Sequence, residues 1–166
     1  MRTFRSISNS LKMSIRLLTP DDLPRLREFW IERWGSDLMI TRGESIRCDE
    51  VEGVVFGEWL GLLTFLVRGD ECEITSLDSL QAGQGIGSAL LEAVLAEVKK
   101  RHCRRLFLIT TNDNLHALGF YQKRGFELAA LYRGAVNQSR KFKPSIPLLG
   151  ENNIPLRDEI ELEMQV

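Results

Sequence analysis

The amino-acid sequence predicts a single α/β domain in which roughly six to seven strands are flanked by helices. Between Val51 and Leu77, β-rich runs alternate with short turn segments, a pattern typical of consecutive antiparallel hairpins. The stretch from Ile86 to Val98 carries apolar residues at the spacing of an amphipathic helix. The uninterrupted apolar run at 106–109 favours a central strand covered on both faces.

The composition is that of a soluble globular protein without a dominant charge. The chain has 166 residues, of which 43% are hydrophobic and 27% charged, and this length suits one domain. Its 22 Lys and Arg balance 23 Asp and Glu, so no global field attracts nucleic acid or an anionic membrane. No apolar run approaches the ~18 to 20 residues that span a bilayer. We expect neither a nucleic-acid nor a membrane partner, and any anionic ligand must be held locally.

The cysteines and histidines predict neither a disulfide framework nor a metal site. Cys48, Cys72 and Cys103 are odd in number and widely spaced, and the two histidines are His102 and His116. No Cys-x-x-Cys pair is present, so zinc ligation is not indicated. A reducing compartment, the cytoplasm, fits this cysteine usage best.

The first half of the chain is predicted to begin with a short extension. Residues 1–12 contain no acidic side chain, and we interpret them as a disordered extension of a domain that spans 13–166. Their basic, Ser-rich character also leaves a short transit peptide open. A strand is expected at 15–18, and Thr19 or Asp21 is expected to cap a helix that runs to about Arg33. Three antiparallel strands are then placed at 54–56, 60–67 and 72–77.

The second half is predicted to alternate helices and strands. After the central strand, a short helix from about Asn114 to Arg124 ends at Gly125, which we expect to be a left-handed C-terminal cap. The last two strands are placed at 126–132 and 159–166. Between them, the segment from Arg133 to Arg157 is too long for a simple hairpin.

A glycine-rich segment, 82–88, lies between a strand and the long helix. Its glycines let the backbone approach a ligand closely, and the first-turn N–H groups of a helix suit a phosphate. A Walker loop is excluded because no lysine follows the glycines before Lys99. A dinucleotide fingerprint matches poorly because Ser88 stands where the third glycine is needed. A glycine-rich turn that binds nothing remains the alternative.

This segment resembles the acetyl-CoA loop of the GNAT superfamily of N-acetyltransferases, which reads Arg/Gln-x-x-Gly-x-Gly/Ala. Gly85 and Gly87 match the two defining glycines, whereas the first motif position holds Ala82 and Gln81 lies one residue early. This departure removes a side-chain contact but leaves the backbone N–H groups in place.

A second segment, 114–126, is similar to the family's Asn-x-x-Ala-x-x-Phe-Tyr-x-x-x-Gly-Phe at every named position. Asn114, Ala117 and Tyr121 are spaced i, i+3 and i+7, so they line one stripe of a helix. The alternative, a short amphipathic core helix with a buried tyrosine, accounts for Ala117 and Phe120 but not for the whole combination.

The resemblance implies a GNAT-type mixed, mostly antiparallel central sheet whose fourth and fifth strands splay apart. Here those strands are the one that ends near Leu77 and the one at 106–110. It further implies that acetyl-CoA binds as co-substrate in the gap between them, without a metal. The residues that the resemblance assigns to the cofactor are Ser76 and Leu77 for pantetheine, Gly83, Gln84, Gly85, Ile86, Gly87 and Ser88 for the pyrophosphate, and Asn114 and Ala117 beside the arm.

Two catalytic roles follow from the same resemblance. Tyr121 is expected to protonate the departing thiolate. A base or a water relay is also needed, because at pH 7 roughly 1 in 2,500 alkylamine molecules is neutral. Glu73 is the first candidate for this base and Asp78 the second. Arg124 is a candidate for an adenosine phosphate, although a cation in the last turn of a helix needs no ligand to explain it.

The expected function is therefore acetyl transfer to the primary amine of a small-molecule or peptide acceptor, by direct attack in a ternary complex. The segments 34–43 and 133–157 are expected to shape the acceptor pocket. Arg133, Arg140, Lys141 and Lys143 of the second segment suit either an acidic acceptor or a solvated lid. The alternatives are a non-catalytic acyl-CoA sensor of the same fold and, more distantly, a nucleotide-binding oxidoreductase. A homodimer is among the assemblies that the resemblance allows.

Overall fold

The computed structural model describes residues 14–166, so the predicted extension at 1–12 lies outside the described residues. Nine strands and four α-helices are present in this part of the chain. The strands are β1 (Ile15–Leu17), β2 (Leu38–Thr41), β3 (Glu44–Arg47), β4 (Glu52–Phe56), β5 (Gly61–Arg68), β6 (Glu71–Ser79), β7 (Arg105–Thr111), β8 (Glu127–Tyr132) and β9 (Glu159–Gln165). The helices are α1 (Leu23–Trp34), α2 (Ile86–Lys100), α3 (Leu115–Gln122) and α4 (Ala135–Phe142).

Seven of these strands form one central sheet in the order β1-β4-β5-β6-β7-β9-β8. Only the β6–β7 pair within it is parallel, so the predicted mixed, mostly antiparallel sheet is confirmed. The last strand, β9, inserts between β7 and β8 and pairs antiparallel with both. Glu159, Glu161 and Glu163 share one face of β9, while the alternating Ile160, Leu162 and Met164 pack into the core on the other.

Strands β6 and β7 separate halfway along their length, as expected. They pair only from Glu71 to Ile74 on β6 and from Arg105 to Leu108 on β7. An extra residue, Thr75, interrupts the ladder with β5, because Phe65 pairs with Ile74 while Thr64 pairs with Ser76. A bulge of this kind bends its strand and raises its twist. It therefore turns the end of β6 away from β7 at the point where the gap opens.

The two faces of the sheet are covered by different elements. On one face, α2 and α3 bury residues such as Leu90 and Tyr121 against Leu63 and Phe65. On the other, α1 and the β2–β3 hairpin pack around Leu62. Gly61 permits close contact between β5 and α2, because a Cβ there would overlap the side chain of Ile86. This contact seats the first residue of α2 against the sheet.

Two elements were not predicted from the sequence. The hairpin β2–β3 forms a separate two-stranded sheet in the segment after α1, where only a pocket-shaping stretch was expected. Helix α4 lies in the long connection between β8 and β9. Helix α1 also begins later than predicted, at Leu23, because Pro20–Asp22 forms a 3₁₀ turn in front of it.

The long connection is held together by its own side chains. The Arg140 guanidinium donates to the carbonyl oxygens of Ile146, Pro147 and Leu156 at 3.1, 2.5 and 2.5 Å. Its N–H donors are therefore used within the connection, and Arg140 is not placed to attract an acidic acceptor. The same bonds tie the residues on either side of this part of the connection to one another.

Candidate functional site

A cavity of about 690 Å³ occupies the gap between β6 and β7. The start of α2, the start of α3 and the end of α1 complete its walls. Because α1 covers one face of the sheet while α2 and α3 cover the other, the cavity connects the two faces through the gap. A ligand that enters from the side of α2 can thus meet a second one from the side of α1.

The start of α2 forms a cradle of backbone N–H groups. Gly83 and Gly85 have φ angles of 73° and 72°, in the left-handed region that favours glycine. The first backbone hydrogen bond of the helix runs from Ala89 N–H to Gly85 O at 3.0 Å, so the N–H groups of the preceding first turn are directed at the cavity. Gly83 and 85–88 line the cavity, whereas Gln84 is exposed and not part of the lining.

Arg124 lies beside this cradle. Its guanidinium donates to Ser88 Oγ from Nη2 at 2.6 Å and from Nε at 3.2 Å. The guanidinium carbon also lies 3.6 Å from the centre of the Phe120 ring, and a third bond reaches Phe120 O at 2.9 Å. The cation is therefore fixed between α3 and the start of α2, where it adds positive charge to the cradle.

The stripe predicted on α3 faces the same cavity. Asn114 Oδ1 accepts from the Ala117 N–H at 3.0 Å and so caps the helix. Asn114, Ala117 and Tyr121 all line the cavity. Tyr121 is 5% exposed, and both its burial and the negative charge of Asp78 raise the pKa of its hydroxyl. The hydroxyl therefore stays protonated well above neutral pH and acts as a hydrogen-bond donor.

The two carboxylates proposed as bases occupy different places. Asp78 lines the cavity, accepts from Trp34 Nε1 at 3.1 Å and Arg33 Nε at 3.3 Å, and has its pKa raised by burial. Glu73 is not among the lining residues. It is 4% exposed and lies on the paired part of β6, level with Phe107. Of the two candidates, Asp78 is therefore the one that lines the cavity.

The bulged end of β6 offers backbone groups to a ligand. Beyond Ile74 its edge toward β7 has no strand partner among residues 14–166, so the backbone of Ser76 and Leu77, both lining residues, is available to an extended chain. The Thr64 hydroxyl, which is fully buried, lies 2.7 Å from Thr75 Oγ1 and 2.6 Å from Ser76 Oγ. These contacts hold the bulge in place.

Several lining residues were not singled out individually from the sequence. Arg33 and Trp34 close the cavity from the end of α1, and Glu151 reaches it from the long connection. Trp34 and Glu151 do lie in the two segments, 34–43 and 133–157, that were expected to shape the acceptor pocket, whereas Arg33 lies outside both. The sequence did not distinguish Glu151 from the other residues of its segment, because its contact with the cavity depends on the path of a connection without a recognisable motif.

Residues 14–166 carry neither a metal-binding cluster nor a membrane-spanning helix. No group of three or more His, Cys, Asp or Glu side chains there is arranged to hold a metal ion. None of the helices in this part of the chain has the length and apolar character needed to cross a membrane.

Comparisons with known proteins agree with this geometry. The chain is 45% identical over 139 residues to YdhI of Bacillus subtilis (strain 168), covering 81% of this chain and 87% of that one. A GNAT family acetyltransferase from Elizabethkingia anophelis, solved with acetyl-CoA bound, superposes with a TM-score of 0.66 at 23% identity, over 93% of this chain and 99% of that one.

Naa50 of Arabidopsis thaliana, in complex with the bisubstrate analogue CoA-Ac-MVNAL, has a TM-score of 0.65 at 18% identity, over the same shares of the two chains. At these identities the solved structures establish the fold. The family model described as Acetyltransferase (GNAT) family matches residues 18–126, from the residue after β1 through both motif segments. Because the match spans more than half of the sequence and both segments line one cavity, the chain belongs to the GNAT acetyltransferase family.

Proposed function

We propose that this protein transfers the acetyl group of acetyl-CoA to a primary amine by direct attack in a ternary complex. The observation that carries the proposal is the cavity that passes through the sheet between β6 and β7, with an N–H cradle at one end and Tyr121 and Asp78 within it. In this arrangement the pyrophosphate lies at 83–88, the pantetheine arm pairs with the backbone of Ser76 and Leu77, and Asn114 and Ala117 contact the arm.

The reaction needs one bond formed and one broken. The amine nitrogen attacks the thioester carbonyl carbon, the C–N bond forms, and the C–S bond breaks with its electron pair on sulfur. The amine gives up one proton, for which Asp78 is the proposed acceptor since it is the carboxylate of β6 that lines the cavity. Tyr121 donates a hydrogen bond to the departing sulfur, which takes one proton from solvent and leaves as the CoA thiol, while Asp78 returns the amine's proton to solvent.

Tyr121 supports this role through its environment. Burial and Asp78 raise the pKa of the hydroxyl, and a higher pKa makes outright proton loss more costly. The favoured contribution is therefore stabilisation of the developing thiolate by a donated hydrogen bond. The tyrosine ends each turnover in its protonated form.

The proposal is tested by acceptor-dependent release of CoA thiol. The purified protein, supplied with acetyl-CoA, is screened against amino acids, polyamines, aminoglycosides and peptide N-termini. We expect at least one amine to release thiol above the rate without acceptor. Tight acetyl-CoA binding without acceptor-dependent release from any amine contradicts catalysis and favours the sensor alternative. Peptides belong in the screen because the analogue bound by Naa50, at a TM-score of 0.65, carries MVNAL.

Replacement of Arg124 by Gln should weaken acetyl-CoA binding roughly 10- to 100-fold, the scale of one charge-assisted hydrogen bond to phosphate. The reason is its fixed position over Phe120 and against Ser88 at the cradle. Isothermal titration at low and high salt measures the change. Arg104→Gln is the matched control, because that guanidinium pairs with Asp70 at an exposed turn. Equal affinity of the Arg124 and Arg104 variants would contradict the role.

Replacement of Glu73 by Gln should leave kcat within about 2-fold and raise thermal stability at neutral pH. Burial raises the pKa of this carboxyl above its usual value, so the folded state favours the protonated form. That stabilisation is present below the unfolded-state pKa and is lost as pH rises through the folded-state pKa, so the glutamate destabilises the folded state more at neutral pH than in acid. Glutamine removes the charge.

Thermal denaturation at pH 4 and pH 7.5 separates the two states of Glu73. The gain in Tm from Glu73→Gln should be larger at pH 7.5, on the order of 1–3 °C. If Glu73→Gln lowered kcat greatly at both pH values, Glu73 would again be the proposed base.

A further inference from the structure

The tip of the connection between β8 and β9 brings one carboxylate to the cavity. Glu151 begins the 3₁₀ turn Glu151–Asn153 and lines the cavity together with Asn114, His116 and Thr110. Within residues 14–166, it is the one lining residue that comes from this connection. A segment absent from both sequence motifs thus contributes to the wall near the start of α3.

Glu151 is held in this position by the loop that precedes α3. Asp113, which is 5% exposed, accepts from the Glu151 N–H at 2.8 Å through Oδ2 and from Thr111 Oγ1 at 2.5 Å through Oδ1. The neighbouring Gly150 lies so close that a Cβ there would overlap the Asp113 carboxylate. The backbone on which Glu151 stands is therefore fixed by a buried partner.

Asn112 adds a second anchor in the same loop. Its Nδ2 donates to Pro155 O at 2.9 Å, and its Oδ1 accepts from the N–H groups of Arg157 and Asp158 at 3.0 and 2.9 Å. Asn114, the next residue but one, caps α3. The connection that carries Glu151 and the helix that carries Tyr121 are thus held by the same loop.

The charge of Glu151 is available to a ligand. The other acidic lining residue, Asp78, is paired with Arg33, and the lining cation Arg124 is held by Ser88. The Glu151 side chain is exposed and forms no ion pair with any residue in 14–166. The wall that this connection adds to the cavity is therefore negative and uncompensated.

We propose that Glu151 binds a second cationic group of the acceptor, so that the enzyme prefers amines that carry an additional positive charge. The inference rests on the proposed acetyl transfer and names the substrate class for it. A carboxylate at a cavity wall attracts an ammonium group and rejects a second carboxylate. Because Glu151 is exposed, it meets such a group without a large desolvation cost.

The test uses two charge ladders of acceptors. Each ladder is a series of one chain length in which only the group at the far end changes. The five-carbon set is 1,5-diaminopentane, 5-amino-1-pentanol and 5-aminopentanoate, and the three-carbon set is 1,3-diaminopropane, 3-amino-1-propanol and β-alanine. Each set keeps the reacting amine and changes only the distal charge. We expect kcat/KM for at least one diamine to exceed that of its amino alcohol roughly 2- to 5-fold, with the amino acid lowest.

Glu151→Gln should abolish this preference by raising the KM of the diamine, with the KM of acetyl-CoA and the kcat/KM of the amino alcohol unchanged within about 2-fold. Glu127→Gln is the matched control, because Glu127 is an exposed glutamate on β8 outside the cavity lining. It should keep the full preference. High salt should reduce the preference of the unmodified enzyme toward that of Glu151→Gln.

Several outcomes would overturn the inference alone. They are a preference for the amino alcohol or amino acid, a diamine preference that survives Glu151→Gln, or failure of both ladders while another amine of the wider screen is acetylated. Failure of every amine in the wider screen overturns the proposed function, and the inference with it. The two failures are therefore distinguishable.

Discussion

Tyr121→Phe should lower kcat about 100-fold while leaving the affinity for acetyl-CoA within about 2-fold, because the hydroxyl acts on the departing sulfur and not on cofactor binding. The ring should stay in place, since it packs edge-on against Phe120 and Phe126 with centroid separations of 5.1 and 5.2 Å. Steady-state kinetics and isothermal titration measure the two effects. An unchanged kcat would remove Tyr121 from the mechanism.

Tyr132→Phe is the matched control, because the chain has two tyrosines and this one lies on β8 outside the cavity lining. Its hydroxyl donates to Glu161 at 2.6 Å, so this variant should lose some stability but keep kcat. A fall in kcat equal to that of Tyr121→Phe would indicate a general packing effect.

The pH dependence of kcat distinguishes the buried tyrosine from an ordinary one. A tyrosine with a typical pKa of ~10 is half ionised at pH ~10, so half of its hydroxyl groups could no longer donate a hydrogen bond there. Because burial and Asp78 raise the pKa of Tyr121, the protonated form persists to higher pH. We expect no decline in kcat from this group between pH 7 and 10.

Gly85→Ala should weaken acetyl-CoA binding by at least about 10-fold. Gly85 stands at a φ of 72° directly before α2, with open space where a Cβ would lie, so the cost of alanine is backbone strain of about 1–2 kcal/mol and not a clash. Relaxation of that strain rotates the peptide and redirects the first-turn N–H groups that form the cradle. Isothermal titration with acetyl-CoA measures the loss.

Gly69→Ala provides the control for strain alone. Gly69 has a φ of 64°, also with open space around it, in the turn between β5 and β6 outside the cavity lining. Both variants should lose a similar amount of thermal stability, but only Gly85→Ala should lose affinity. Equal acetyl-CoA affinity in the two variants would show that the cradle does not depend on this conformation.

Local patterns in the sequence predicted most of the elements near the cofactor. The apolar stripe predicted α2, which the structure confirms at Ile86–Lys100. The segment from Asn114 predicted α3, and Gly125 has the expected positive φ, at 90°. These elements are specified by residues close in the chain, through capping, helical periodicity and turn chemistry, so short sequence windows contain the relevant information.

The positions of the two candidate bases could not be predicted from local sequence patterns. Glu73 and Asp78 lie on the same strand, five positions apart, and an ideal alternating strand would place them on opposite faces. The bulge at Thr75 inserts one extra residue between them, so the two share a face while only Asp78 lies beyond the point where β6 and β7 separate. A bulge depends on pairing with β5, which no local pattern in β6 reveals.

The sequence by itself determined the family, the helices and strands that carry its two motifs, and the stripe from Asn114 to Tyr121, because short-range backbone and side-chain interactions govern these features. Only the tertiary structure decided that Asp78 lines the cavity while Glu73 does not, and that Asp113 holds Glu151 at its wall. Both outcomes depend on contacts between segments distant in the chain, which form only when the sheet and its connections pack together.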